Sequence, residues 1–119
     1  MTGDSDDAAL LWDMLQAARH ARDFISGRTL SEYASDLLLR SAVERQIEII
    51  GEAARYVSTE LREAQPEIPW RGIQAQRHVL AHDYGVIDNV RLWKVVSEHI
   101  PVLIQQLESI LPQCPADGQ

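Results

Sequence analysis

The chain has 119 residues, which is enough for one domain that buries a core without disulfides or a metal. Its 45% hydrophobic and 24% charged residues are typical of a folded globular protein and exclude a mainly disordered one. The formal net charge of -7 excludes a surface that attracts nucleic acid everywhere, so binding to RNA would require a local basic groove.

Helical spacing of apolar residues predicts a first helix from Asp7 to about Ser26. Gly27 is expected to end it, and Ser31 is a candidate N-cap in the following loop. The apolar positions are Leu11, Met14, Leu15, Ala18 and Ile25. This pattern leaves residues 1–6 as a flexible leader outside a core that extends from about 8 to 111.

The second predicted helix, from about Ser35 to Val57, is the longest of the chain. Gly51 lies inside it, where glycine costs about 1 kcal/mol relative to alanine, so another helix is expected to pack closely there. Ser58 is predicted to cap a short helix that ends near Ala64. The apolar stripe of the long helix consists of Leu39, Val43, Ile47, Ile50, Ala54 and Val57.

Pro66 and Pro69 enclose a loop that is poorly suited to helix. A helix is predicted to begin at about Trp70 and to end at His82 or Asp83, before an exit loop over 84–86.

Asp88 is expected to cap the next helix, which contains Val90, Trp93 and Val96 and has a break or kink near Pro101. The last helix ends at Pro112, followed by a flexible end over 112–119. It is predicted to bury Leu103, Ile104, Leu107, Ile110 and Leu111. The whole chain is therefore predicted to be one all-α domain, an up-and-down bundle of four to five helices.

The cysteine usage and the N-terminal sequence bear on the cellular location. The single Cys114 cannot form an intramolecular disulfide, which indicates a reducing compartment. The acidic start (Asp4, Asp6 and Asp7) is unlike a secretory signal, and no apolar stretch approaches the length that spans a membrane. We therefore expect a cytoplasmic protein without membrane association.

The chemically richest stretch is residues 77–84, at the end of the helix predicted to begin at Trp70. Arg77, His78, His82, Asp83 and Tyr84 place a guanidinium, two imidazoles, a carboxylate and a phenol within eight residues. Cationic side chains are favoured at a helix C-terminus by the helix dipole. The stretch is therefore the candidate functional site.

Three interpretations of this stretch remain open. His78 and His82 are four residues apart and would share a helix face, which suits a metal, but no third ligand follows at a recognisable spacing. Arg77 and His82 are separated by about 140° around a helix, so two copies about a two-fold axis would be needed to pool them on a phosphodiester. Otherwise Arg77 pairs with a nearby carboxylate and His82 caps the helix end.

Several blocks in this order resemble the HepT-like family of HEPN domains. They are the motif Arg77-x4-His82-x-Tyr84, the upstream segments 49–54 and 66–70, the segment 86–88 and Trp93. The similarity extends from about Leu10 to Leu111. His78 departs from the pattern, because the family often has asparagine or another small polar residue there.

The resemblance implies a helical, homodimeric endoribonuclease toxin of a toxin–antitoxin pair that needs no metal or other cofactor. Arg77 and His82 would be the catalytic pair at the subunit interface. Beside this pair, His78 and Asp83 are candidate supporting residues, through hydrogen bonding by His78 and orientation of a neighbouring imidazole by Asp83. Tyr84 matches the tyrosine to which the partner, a minimal nucleotidyltransferase antitoxin, transfers AMP. The expected partners are therefore an RNA substrate, this nucleotidyltransferase and a second copy of the chain. The alternative is a non-catalytic helical module that the nucleotidyltransferase binds and modifies.

Overall fold

The computed structural model describes residues 3–75 and 89–111, with side chains from residue 6 onward. These residues form helices and turns and contain no β-strand, which confirms the predicted all-α bundle. The helices are α1 (Gly3–Phe24), α2 (Leu30–Ser35), α3 (Leu37–Arg55), α4 (Thr59–Ala64), α5 (described over 70–75), α6 (Asn89–Lys94), a π-helical segment (Val95–His99) and α7 (Ile100–Ile110).

The core lies where α1 packs against α3 and α7. Every apolar position predicted for the first two long helices is buried, because those positions recur once per helical turn and form one face. A second apolar cluster joins the end of α1 to α2, α3 and α6, with Tyr33 and Leu92 at its centre. In α7 the predicted face is buried except for Ile110, which is only partly covered.

The structure corrects two predicted boundaries in the first third of the chain. Helix α1 begins at Gly3, earlier than the predicted Asp7, and Gly27 ends the turn after it with a φ of 75°. The N-cap of α2 is Thr29 rather than Ser31. The Thr29 hydroxyl accepts from the Glu32 N–H at 3.1 Å, and the Glu32 carboxylate accepts from the Thr29 N–H at 2.9 Å. This capping box satisfies two backbone donors at once, which the isolated Ser31 could not do.

The second long helix is also shorter than predicted. Helix α3 begins at Leu37 rather than Ser35, because Asp36 caps it by accepting from the Leu39 N–H at 3.0 Å. It ends at Arg55 rather than at the predicted Val57. The Ser58 cap of α4 is confirmed, since the Ser58 hydroxyl accepts from the Leu61 N–H at 3.1 Å.

Near Pro101, where a break or kink was predicted, the helix widens and continues. The Ile100 N–H donates to the Val95 carbonyl, five residues back, and α7 then continues through Pro101. Proline has no N–H, and its ring crowds the carbonyl four residues earlier, so a wider turn accommodates it without ending the helix. None of the described helices is long and apolar enough to cross a membrane.

Tyr33 is the polar side chain buried most completely in the second cluster. Its exposure is 0%, its ring packs against Trp93 with the ring centres 5.6 Å apart, and its hydroxyl has no hydrogen-bond partner among the described residues. Burial, and secondarily the Glu44 carboxylate, raises the pKa of Tyr33 to about 12. The phenol therefore contributes its ring to the core and gains nothing from its hydroxyl.

We expect Tyr33→Phe to leave the free energy of unfolding at pH 7 unchanged or raised by about 1 kcal/mol, because an unpaired hydroxyl is no longer buried. Between pH 10 and pH 12 the parent should lose stability, since the unfolded phenol ionises near pH 10 while the folded one stays protonated to about pH 12. At pH 11 this loss should be roughly 1 kcal/mol and absent from Tyr33→Phe. Urea unfolding at both pH values measures it. A variant destabilised at pH 7 would reveal a hydrogen bond to the hydroxyl.

Candidate active-site region

The predicted site residues Arg77, His78, His82, Asp83 and Tyr84 lie outside the described residues, as does the predicted cap Asp88. The structure describes the beginning of the helix that leads to them and the helices that surround this beginning. Helix α5 starts at Trp70, as the sequence predicts, after a non-helical segment over 65–69. The position of α5 is therefore the structural information that bears on the site.

The loop before α5 is held by its own backbone and by the indole of Trp70. The Trp70 ring N–H donates to the Gln65 carbonyl at 3.0 Å, and the Trp70 backbone N–H donates to the Ile68 carbonyl at 2.8 Å. Ile68 is buried in the main core. Because Trp70 and Ile68 anchor the loop at adjacent points, α5 leaves it in a defined direction.

Two glutamine side chains connect this region to the long helices. The Gln74 amide donates to the Gly51 carbonyl of α3 at 3.4 Å, and the Gln106 amide of α7 donates to the Glu67 carbonyl at 3.0 Å. Gly51 itself is buried. A side chain of α5 thus reaches α3 at Gly51, and the close helix packing that the sequence predicts at this glycine stays a prediction.

An open cleft of about 230 Å³ lies beside α5. Ile47 and Ile50 of α3, Gly72 and Ile73 of α5 and Ile100 of α7 supply apolar walls. Among the described residues, a methyl group at Gly72 would meet the Cβ of Pro69 at 3.8 Å, which is an ordinary van der Waals contact. The cleft is an apolar surface next to the described beginning of α5, the helix on which the sequence predicts the candidate chemistry.

His99, for which the sequence suggested no role, also lines this cleft, from the π-helical segment. It is the titratable side chain among the described lining residues, and it is exposed. The nearby Pro101 was the available signal, because a widened turn before proline changes which side chains face the cleft. An apolar cleft with one imidazole cannot cleave a phosphodiester alone, so acid–base chemistry there requires the motif residues.

The described residues hold no cluster of three or more histidine, cysteine, aspartate or glutamate side chains that would suit a metal ion. This finding does not reach the predicted pair His78 and His82. The salt bridges of the described surface, such as Arg19–Glu108 at 2.8 Å and Arg45–Glu48 at 3.5 Å, lie on exposed positions and contribute little stability. They neither form nor border the cleft.

Comparison with known proteins identifies the family that this chain resembles. A family model described as "Ribonuclease HepT-like" matches residues 14–110. "Putative RNase MJ1380" of Methanocaldococcus jannaschii is 36% identical over 105 residues, which cover 88% of this chain and 96% of that protein. "Probable ribonuclease HepT" of Thermococcus cleftensis is 34% identical over 100 residues, covering 84% and 91% of the two chains. No solved structure matches. The matched region includes the whole of 77–84.

Proposed function

We propose that this chain is an endoribonuclease that cleaves RNA without a metal ion. The basis of this proposal is that the chain belongs to the HepT-like ribonuclease family. The observation that carries this proposal is the family match over residues 14–110, within which Arg77, His82 and Tyr84 stand at the spacing of the family motif. The protein would act in the cytoplasm, where its substrate is. It would be the toxin of a toxin–antitoxin pair.

In the proposed reaction His82 removes the proton from a ribose 2′-hydroxyl, and the 2′ oxygen attacks the adjacent phosphorus. The bond from phosphorus to the 5′ oxygen of the next nucleotide breaks, and that oxygen leaves with a proton supplied by an imidazolium. Arg77 binds the phosphate oxygens and stabilises the charge that develops on them. The products are a 2′,3′-cyclic phosphate, or the phosphate monoester formed by its hydrolysis, and a 5′-hydroxyl. His78 and Asp83 would support this pair by hydrogen bonding.

The active form would be a homodimer. On the helix that the sequence predicts here, Arg77 and His82 would be about 140° apart, so a single copy would not aim both at the same phosphate. Two motif helices about a two-fold axis would bring both pairs into a shared cleft. The anchoring of α5 to α3 through Gln74 and Gly51 supports this proposal, because a site shared between subunits requires a motif helix in a fixed direction.

Neutralisation would come from a minimal nucleotidyltransferase antitoxin that transfers AMP to the Tyr84 hydroxyl. The phenol oxygen would attack the α-phosphorus of ATP, pyrophosphate would leave, and the tyrosine proton would pass to solvent. The adenylate would place negative charge and bulk two residues from His82, which would exclude RNA by repulsion and by volume.

The test is cleavage of total cellular RNA by the purified protein in EDTA, with analysis of the product ends. We expect cleavage that persists in the chelator and leaves cyclic phosphate and 5′-hydroxyl ends. Loss of activity in EDTA that added Mg²⁺ or Zn²⁺ restores would contradict the metal-independent mechanism and favour a metal site at His78 and His82.

The alternative, a non-catalytic partner of the nucleotidyltransferase, is favoured by the net charge of -7, which is unusual for a protein that binds RNA. Expression without the antitoxin separates the two functions. A ribonuclease toxin should arrest growth, and His82→Ala should relieve the arrest. Absence of RNA cleavage by protein whose intact mass shows no adenylate would favour the docking partner.

A further inference from the structure

A second pocket, of about 290 Å³, lies at the end of α1 and differs in chemistry from the cleft beside α5. Its lining includes Arg22 from the end of α1, Ser26 and Arg28 from the following turn and loop, and Trp93, Ser97 and Pro101 from the α6–α7 region. The described residues that line it include two arginines and no carboxylate, in a chain whose net charge is -7. It is therefore a local basic site, which an acidic RNA-binding protein requires.

The two guanidinium groups are not committed to strong ion pairs. The Arg22 Nε donates to Asp23 at 3.1 Å, which uses one of its five N–H donors. The Arg28 Nη1 lies 3.6 Å from Asp36, whose other carboxylate oxygen already caps α3. Both pairs are exposed to solvent and so contribute little. Either arginine can reorient toward a phosphate at small cost.

The Trp93 ring forms an aromatic wall of the pocket, and residues packed against it hold it in position. Its ring packs on buried Tyr33, and its backbone carbonyl accepts from the Ser97 hydroxyl at 2.7 Å. The indole is only partly buried, so part of it faces the pocket. A fixed aromatic ring beside cationic side chains is the arrangement on which single-stranded nucleic acids stack their bases.

The basic pocket and the cleft beside α5 share the π-helical segment. Val95 and His99 line the cleft, whereas Val96 and Ser97 line the basic pocket. A π turn before Pro101 thus directs neighbouring side chains to two different sites. Residues that are adjacent in the chain therefore line both sites, and a polymer is the kind of ligand that could contact both.

We propose that the basic pocket binds one nucleotide of the RNA strand outside the scissile bond, with Arg22 and Arg28 on a backbone phosphate and Trp93 against a base. This proposal rests on the proposed function and names the part of the surface that holds the substrate. The pocket volume is near the lower end of the range for small-molecule sites, about 300–1,000 Å³, which suits one nucleotide rather than a folded RNA element.

The test is binding of a fluorescein-labelled, 2′-O-methyl single-stranded RNA of roughly 12 nucleotides, followed by anisotropy. This probe cannot be cleaved by the proposed reaction, because its 2′ oxygens carry methyl groups. We expect the double variant Arg22→Ala with Arg28→Ala to bind about tenfold or more weakly than the parent, and the dependence of log K on log salt to flatten by about 0.7 per lost phosphate contact.

The matched control is Arg45→Ala with Arg55→Ala. It removes the same charge from two exposed arginines of α3, each in a surface pair with a glutamate three residues away. We expect less than about a twofold loss of affinity for it. Equal losses for both double variants would show that only net charge matters and would overturn the proposal, as would an unchanged affinity of the Arg22 and Arg28 variant.

The stacking contact has its own comparison. Trp93→Leu should weaken probe binding about fivefold or more, and Trp93→Phe by less, because phenylalanine keeps an aromatic face. Equal affinities for the two variants, both folded by circular dichroism, would overturn the stacking role. If the parent cleaves RNA but binds the probe no more tightly than the Arg22 and Arg28 variant does, the proposed role of this pocket is refuted and the proposed ribonuclease activity stands. A parent that neither cleaves RNA nor binds the probe would refute both.

Discussion

Replacing His82 with alanine is expected to lower the rate of RNA cleavage by about 10²–10⁴-fold, the contribution of a positioned acid or base. Histidine is the side chain whose ordinary pKa lies closest to neutrality, so it exchanges protons with a ribose hydroxyl near pH 7 better than any substitute. The variant should bind the uncleavable RNA probe as tightly as the parent, because an imidazole contributes mainly in the transition state. A rate that falls while affinity holds is the signature of lost chemistry.

Arg77 provides the second half of this prediction. Arg77→Ala should slow cleavage by about 10²–10³-fold, because the charge on the phosphate oxygens is left uncompensated in the transition state. Arg77→Lys should recover only part of this loss, since an ammonium restores the charge but not the two parallel hydrogen bonds of a guanidinium. Recovery to the parent rate by lysine would mean that Arg77 acts only as a general positive charge.

His20→Ala is the matched control for this series. His20 is exposed on α1 and stacks on Phe24, with the ring centres 6.2 Å apart, and it lines neither pocket. Its loss should leave the rate within about twofold of the parent. If His82→Ala cleaves RNA as fast as His20→Ala, the proposed base is wrong, whether or not the protein is a ribonuclease.

The helical architecture was accessible from the sequence because it depends on a periodic property. The apolar stripe predicted for the second long helix recurs about once per turn and so marks the face that is buried. All six of its predicted members are buried. The caps were less accessible, since Thr29, Ser31 and Asp36 all have side chains that can cap a helix. Glu32 decides in favour of Thr29, because only Thr29 stands three residues before a glutamate that can bond back to it.

The two pockets of the described structure were not accessible from the sequence. The basic pocket combines Arg22 and Arg28 with Trp93, from segments separated by more than half of the chain, and no local pattern connects them. The widened turn before Pro101 could be anticipated only as a break or kink. The motif of Arg77, His82 and Tyr84 was recognised because it is local, and its roles remain predictions since those residues lie outside the described ranges.

The buried carboxylate of Asp7 connects α1 to α4, two elements that are far apart in the sequence. Asp7 is 7% exposed and accepts from both the backbone N–H of Ser58, at 2.9 Å, and the Ser58 hydroxyl, at 2.6 Å. The Ser58 hydroxyl also accepts from the Leu61 N–H. Because this hydroxyl donates its proton to Asp7, its lone pairs are oriented toward the first turn of α4. The chain after α4 leads directly into the loop that anchors α5.

Asp7→Ala is therefore expected to lower the free energy of unfolding by about 3 kcal/mol, since two charge-assisted hydrogen bonds are lost and the Ser58 donors stay partly buried. Asp7→Asn should lose about half as much, because it keeps one carbonyl oxygen as an acceptor. Urea unfolding followed by circular dichroism measures both. Asp6→Ala is the control, since Asp6 is exposed in the same helix and its removal changes the net charge and the helix dipole interaction similarly.

The coupling between Asp7 and Ser58 distinguishes this contact from a general effect of the acidic N-terminus. In a double-mutant cycle, Ser58→Ala should make a further Asp7→Ala substitution much less costly than it is in the parent, because the hydroxyl contact is already absent. Independent, additive losses, or a loss for Asp7→Ala no larger than that for Asp6→Ala, would show that the carboxylate does not hold α4. If the coupling is found, weakening it should also lower RNA cleavage without changing the motif, since α4 and its loop set the direction in which α5 leaves.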